Sequence, residues 1–277
     1  MGIKRWPAII AGLVLLAVVG TVLVVWLSGD EPEAPSATPS PSASAAPSPS
    51  AAAPSPSAPV IGEGVVFDFK NGLEQARVVG SDAGTLAVRE ESQTGGDVSL
   101  VPRDGDFAVR FPGPCASKDD KQCPRAILDA GASPALNPGL RAFRWGAAVL
   151  MAPEETSKGA NVLQKGYSQF GTQFKLQVDG VKGIPSCVVA GPQNGKNVIN
   201  VAQATKGVAD GSWHTVECSR DGAVLRISVD GVPQGEATIP ADLAISNDAP
   251  LRIGGKGVAP NNDQFHGTLD DLFVAIG

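Results

Sequence analysis

The stretch from Asp210 to Gly231, D-G-S-W-H-T-V-E-C-S-R-D-G-A-V-L-R-I-S-V-D-G, constrains the fold more than any other part of the chain. Leu225, Ile227 and Val229 alternate with Arg226, Ser228 and Asp230. A period of two places aliphatic groups on one face of a strand and polar groups on the other, so this strand is half-buried. Asp221-Gly222 supplies the backbone freedom of a tight hairpin turn after a preceding strand, and Asp230-Gly231 ends the second strand.

The same punctuation recurs along the chain. Val65–Lys70 alternates before a turn at Asn71-Gly72. Further strands are expected at Leu86–Arg89, Val98–Val101, Asp106–Phe111, Ala126–Leu128, Phe143–Met151, Val162–Gln164, Phe174–Val178, Cys187–Val189, His214–Arg220, Val224–Val229, Leu251–Ile253 and Gly267–Ala275. Gly, Pro, Asn and Asp fill the gaps, and no amphipathic helical period persists between them. Aromatic residues make up only 5% of the chain, against 33 glycines and 23 prolines, which suits many short strands separated by turns. The fold class is therefore all-β, an antiparallel sandwich or barrel without crossover helices.

The first sixty residues are of another kind. Residues 1–7 carry Lys4 and Arg5, and Ala8–Leu27 is almost wholly apolar, matching the roughly 20 residues a helix needs to cross a hydrocarbon core. Asp30, Glu31 and Glu33 follow, so the positive-inside rule puts the N-terminus in the cytoplasm and the rest outside. This reads as a single-pass signal anchor in the cell membrane. A cleaved signal peptide is the competing reading, but its apolar core would span about 7–15 residues with a small-x-small site close behind. The nearest good match here, Ala43-Ser44-Ala45, lies far beyond the span. Residues 28–60 are mostly Pro, Ser, Ala and Thr and cannot form a core. They favour extended polyproline-like conformations, a stalk reaching up to roughly 90 Å. Its Ser/Thr-Pro character fits an O-glycosylated stalk and an inert linker equally. Residues 61–277 make one domain.

The formal charge is −6, and −8 without Lys4 and Arg5. With no Lys/Arg cluster, this acidity argues against nucleic acid or anionic lipid as the main partner, since both need basic patches. The four cysteines all lie beyond the apolar segment, as suits an oxidising compartment and two disulfides; four unpaired buried thiols are the alternative. Cys115 and Cys123 bracket the polar loop A-S-K-D-D-K-Q and would close it locally. Cys187 and Cys218, each on a candidate strand, pair by elimination and by that placement.

W-H-T-V followed by a strand ending in V-D-G resembles the centre of laminin-G-like domains in the concanavalin A-like lectin/glucanase superfamily. The other pieces come in the family's order across most of residues 61–277. They are S-P-A-L-N-P-G with F-R-W-G-A-A-V (Ser133–Val149), N-V-L-Q-K-G (Asn161–Gly166), P-L-R-I-G-G-K (Pro250–Lys256) and F-H-G-T-L-D-D-L-F-V (Phe265–Val274). The chain looks like the secreted or membrane-anchored laminin-G-like surface proteins of Gram-positive, actinobacterial-type bacteria. The resemblance implies a jelly roll of two curved antiparallel sheets whose concave face or rim loops bind glycans or proteins. It also implies a structural calcium ion where the first and last strands meet, held by Asp270, by Asp68 and by the Asn71-Gly72 turn, since calcium takes six to eight oxygen ligands. The alternative is that Asp270 accepts backbone hydrogen bonds or faces a Lys.

Relatives on this fold include glycoside hydrolases, and a retaining one needs two carboxyl groups about 5–5.5 Å apart. The family's Glu-x-Asp-x-x-Glu strand is missing from the sequence. Glu90-Glu91 and Glu154-Glu155 are adjacent pairs, Glu217 stands alone, and His214 and His266 have neither a nucleophile partner nor zinc spacing. No catalytic residue is expected. For a glycan site the candidates are Trp145, Gln164, Lys165, Gln173 and Lys175, an aromatic platform with amide and charged hydrogen-bonding groups. The competing reading makes Trp145 and Trp213 core or edge packing. The oxygen-rich rim loop Pro260–Gln264 is read first as a plain turn, then as a ligand or ion site. The expected function is a non-enzymatic extracellular recognition or adhesion module, tethered to the membrane and binding a glycan or protein. A structural cell-envelope protein without a small-ligand site, and a glycan-active enzyme, are the alternatives.

Overall fold

Alternating burial along the strands decides the layers. The computed structural model describes residues 62–80 and 82–277, and within them seventeen strands form. They are β1 Gly64–Phe67, β2 Gln75–Val79, β3 Gly84–Ala87, β4 Arg89–Gln93, β5 Ser99–Arg103, β6 Asp106–Arg110, β7 Arg125–Asp129, β8 Phe143–Leu150 and β9 Ala160–Gly166. After these come β10 Gln173–Asp179, β11 Ile184–Gln193, β12 Lys196–Gln203, β13 Trp213–Asp221, β14 Val224–Val229, β15 Val232–Thr238, β16 Leu251–Ile253 and β17 Thr268–Ile276. Among the described residues, helix is confined to three short 3-10 turns at Asp120–Gln122, Pro134–Leu136 and Pro153–Glu155.

Two antiparallel sheets result, the sandwich of a jelly roll. One runs β15-β14-β13-β8-β17-β1-β2-β3, with the β5–β6 hairpin joined to β17; the other runs β12-β11-β10-β9-β16-β7-β4. Strand β13 alternates regularly between buried and partly exposed positions, as the hairpin pattern requires. Strand β14 turns into β15 at Asp230-Gly231, where both φ values are positive (54° and 74°), the two-residue turn that matches strand twist.

Leu225, Ile227 and Val229 of β14 meet Phe174, Leu176 and Val178 of β10 in one core between the sheets. Trp145 lies at its centre, 0% exposed, stacked on Phe143 at 4.6 Å and tilted against Phe174 at 5.6 Å. Cys187 of β11 and Cys218 of β13 are bonded, so a covalent link crosses from one sheet to the other; Cys115 and Cys123 close their loop. Both expected pairings are therefore present.

Strand bounds differ from expectation where the chain changes layer. Val65–Lys70 ends at Phe67, because Phe69 takes a positive φ of 51° and breaks the ladder. Leu86–Arg89 is two strands: β3 belongs to the larger sheet and β4 to the smaller, and buried Val88 marks the crossing. Strands β2, β12 and β15 escape the sequence pattern; β12 is largely exposed, and β15 carries Pro233 and Gly235. No helix among the described residues is long and apolar enough to cross a membrane. The expected span at Ala8–Leu27 and stalk at 28–60 lie outside the described residues.

Candidate functional site

Strand β10 supplies the floor. Phe174, Leu176 and Val178 point into the core, which turns Gln173, Lys175 and Gln177 to the outer face of the seven-stranded sheet. Register carries that face sideways: Arg252 pairs with Gln164, Gln164 with Lys175, Lys175 with Val188 and Val188 with Val201. A cation, an amide, an ammonium and two valines thus form one row across five strands. A groove of about 440 Å³ lies over it, within the ~300–1,000 Å³ of small-molecule sites. Its floor holds Gln164, Gln173, Lys175 and Gln177, its aliphatic side Ile199 and Val201, and its far end Lys256 and Asp263.

The lip is the loop after β9. Phe170 is 85% exposed there, with Tyr167 at a ring distance of 6.4 Å. An exposed ring on a loose loop would be ordinary, but this loop is braced. The Phe170 amide donates to the Tyr167 carbonyl (3.1 Å), and Asn197 Nδ2 of β12 donates to the carbonyls of Ser168 (2.7 Å) and Gly171 (3.0 Å). Tyr167 donates its hydroxyl proton to the Lys256 carbonyl at 2.7 Å. Arg252 donates to both Tyr167 Oη and that carbonyl, and is itself held by Asp129 at 3.0 Å.

The floor's polar groups divide into those already engaged and one that is not. Gln164 Nε2 and Gln173 Nε2 both donate to the Gly166 carbonyl (2.8 and 3.1 Å), and Gln177 Nε2 donates to Asp179 (2.6 Å). Lys256 pairs with Asp263 at 2.9 Å. Burial pulls the Lys175 ammonium below the usual lysine range, against the fields of Asp263 and Asp179, with Lys256 adding to the depression. Asp263 also borders a second cavity of about 230 Å³ beneath the Cys115–Cys123 loop, beside Arg125, Lys158 and His266. Burial lowers the His266 pKa, and its Nδ1 donates to the Pro112 carbonyl at 2.7 Å.

Of the five expected ligand residues, the structure brings Gln164, Gln173 and Lys175 together in the groove. Two are corrected. Trp145 is core, as its parity with Ala147 and Val149 requires. Lys165, adjacent to Gln164 on a strand, necessarily points the other way; it is fully buried and caps the Asn247 carbonyl at 2.7 Å. Burial lowers its pKa to about 8, opposed by Asp248. Tyr167, Phe170, Gln177 and Lys256 were missed. Tyr167, the chain's single tyrosine, followed by Phe170 directly after N-V-L-Q-K-G, was the available signal.

Around the expected calcium set, Asp270 Oδ2 lies 2.6 Å from Arg103 Nη1, which also reaches Asp271 at 3.2 Å. Burial raises the Asp270 pKa to about 6 despite that partner. Asp68 faces Arg77 at 3.6 Å, and Asn71-Gly72 forms the turn closed by the Gly72 amide on the Phe69 carbonyl. Among the described residues no three His, Cys, Asp or Glu side chains cluster as metal ligands. His214 sits between two carboxylates, Nδ1 on Asp230 (2.9 Å) and Nε2 on Asp210 (3.1 Å), and Glu217 pairs with Arg144.

Residues 147–275 match the family model described as the concanavalin A-like lectin/glucanases superfamily. No curated protein matches the chain. Among solved structures, the chain is similar to domain 4 of AbnA, a GH43 extracellular arabinanase from Geobacillus stearothermophilus, in complex with arabinotriose. The TM-score is 0.55 at 14% identity, covering 78% of this chain and 94% of that one. It is also similar to the binding domain of botulinum neurotoxin DC in complex with SialylT (0.50, 10%, 76% and 47%). A third likeness is to the binding domain of Paraclostridial mosquitocidal protein 1 (0.51, 10%, 78% and 48%). The chain spans about half the length of the two toxin structures, and at these identities the likeness shows the fold. Fold, strand order and the match over residues 147–275 together support a concanavalin A-like, laminin-G-like domain in this chain.

Proposed function

We propose that the protein is a non-catalytic, lectin-like recognition module whose glycan ligand lies in the groove on the seven-stranded sheet. The observation that carries this is Phe170: an 85% exposed ring, braced at the lip of a preformed groove with an amide and ammonium floor. Sugars present an apolar face to a ring and hydroxyls to polar groups, and this site offers both. The solved structures it resembles include one with arabinotriose and one with SialylT, which supports a sugar as ligand. A binding role is favoured over hydrolysis because Asp263 is the single carboxylate in the groove lining and is paired with Lys256, where a glycosidase needs two working carboxyl groups.

Titrating the full chain with neutral and acidic oligosaccharides tests the reading. A sugar should bind, and Phe170→Ala should weaken it about tenfold, ~1.4 kcal/mol, with an unchanged thermal midpoint. Binding that ignores Phe170, or no binding to any sugar, removes the proposal. A protein ligand is the second reading, favoured by Ile199 (55% exposed) and Val201 (45%) on the edge strand β12, where a partner strand could dock.

Two further parts of the proposal lie outside the groove. One is the membrane tether through residues 8–27, checked by whether the chain fractionates with membranes. The other is a structural calcium at Asp68, Asn71, Gly72 and Asp270, which would have to displace Arg103 from Asp270. A thermal midpoint that is the same in calcium and in chelator sinks it.

A further inference from the structure

We infer that the ligand is an acidic glycan, and that Lys175 selects its anionic oxygen group, a carboxylate or a sulfate. The inference rests on the glycan reading and adds the chemical class.

The local charge is the first ground. The groove lining contains Lys175, Lys256 and Asp263 as its charged residues, a sum of +1 in a chain of formal charge −6. Lys256 and Asp263 pair with each other, so the charge of the lining that has no ion-pair partner is on Lys175.

The second ground is the set of acceptors. Among the described residues the Lys175 side chain makes neither a hydrogen bond nor an ion pair. The two carboxylates that draw on it are engaged elsewhere: Asp263 by Lys256, and Asp179 by Gln177 Nε2 (2.6 Å) and Ser186 Oγ (2.9 Å). Between Gln164 and Val188 in the cross-strand row, the ammonium is also partly stripped of water. A partly desolvated cation with no carboxylate in contact is costly, and an anion arriving within hydrogen-bond reach offsets that cost.

The third ground is what the rest of the floor withholds. The amide nitrogens of Gln164, Gln173 and Gln177 each spend one N–H on a protein acceptor, which leaves only neutral donors beside the Lys175 ammonium. The floor therefore meets a ligand with one strong donor, and a charge-assisted bond from it is about twice as strong as a neutral one. A neutral sugar would leave that donor against a hydroxyl; an acidic sugar uses it fully. A lysine acts as a point charge and does not impose the planar geometry that separates carboxylate from sulfate.

The test uses two matched pairs: oligogalacturonate against its methyl ester, and sulfated dextran oligomers against dextran of the same length. Calorimetric titration of the full chain should show the acidic member of at least one pair binding ten times tighter or more, and the responding pair names the group. Lys175→Met, which keeps the aliphatic stem, should abolish the gap, and Lys175→Arg should preserve it. Equal binding of neutral and acidic members, or a gap that survives Lys175→Met, overturns this inference while the glycan reading stands. If no sugar binds at all, the glycan reading falls and takes this inference with it.

Discussion

The two outer faces of the sandwich are built by the same alternation and put to opposite uses. On the ten-stranded sheet, Arg144 meets Glu217 at 3.1 Å and Arg226 meets Glu236 at 3.6 Å, each charge closed on a cross-strand neighbour. On the seven-stranded sheet, the corresponding row leaves Lys175 without such a neighbour and places an exposed aromatic above it. Strand pairing alone does not distinguish the faces. What differs is whether the polar groups complete one another or wait for something else, and binding capacity lies where they do not.

The sharpest way to break this contrast is to remove what both faces share. Trp145→Ala should destabilise the domain by about 3–5 kcal/mol, seen as a fall in denaturant midpoint, because the stacked ring fills the core between them. Both faces should fail together. Phe170→Ala comes next: its effect of about tenfold should appear in sugar titrations and not in the unfolding curve. Smallest is Glu217→Ala on the other face, where both partners are more than a third exposed. It should change stability by less than about 1 kcal/mol and leave ligand binding untouched. A binding change there would mean the two faces are coupled, and the comparison would need redrawing.

Much of the fold could be read from local pattern, because pattern and burial are the same fact in a half-buried strand. Val224–Val229 forms with the expected bounds, and both disulfides join the expected partners. The groove was half legible. Gln173 and Lys175 share a face by parity, and Gln164 joins them through the register between β9 and β10. Lys165 failed by the same rule, being one residue from Gln164. Trp145 shares its side of β8 with Phe143, Ala147 and Val149, so the competing reading of it as core packing is the one the structure bears out. For Phe170 the sequence carries only its place after Tyr167, because the hydrogen bonds that hold its loop come from Asn197, 26 and 29 residues from the atoms it binds. Sequence periodicity carries no information over that separation.

The Cys187–Cys218 bond has a mechanical meaning. Cys187 directly precedes Val188 in the groove floor, while Cys218 sits on β13 of the opposite sheet, two ladders from β17 and three from β1. A pull between a seated ligand and the chain entering at β1 would otherwise be borne across the sandwich by core contacts, which slide under tension. Here it also passes through a sulfur–sulfur strut. The two sheets cannot be peeled apart at that point, so under load the ligand should leave the groove before the sandwich opens there.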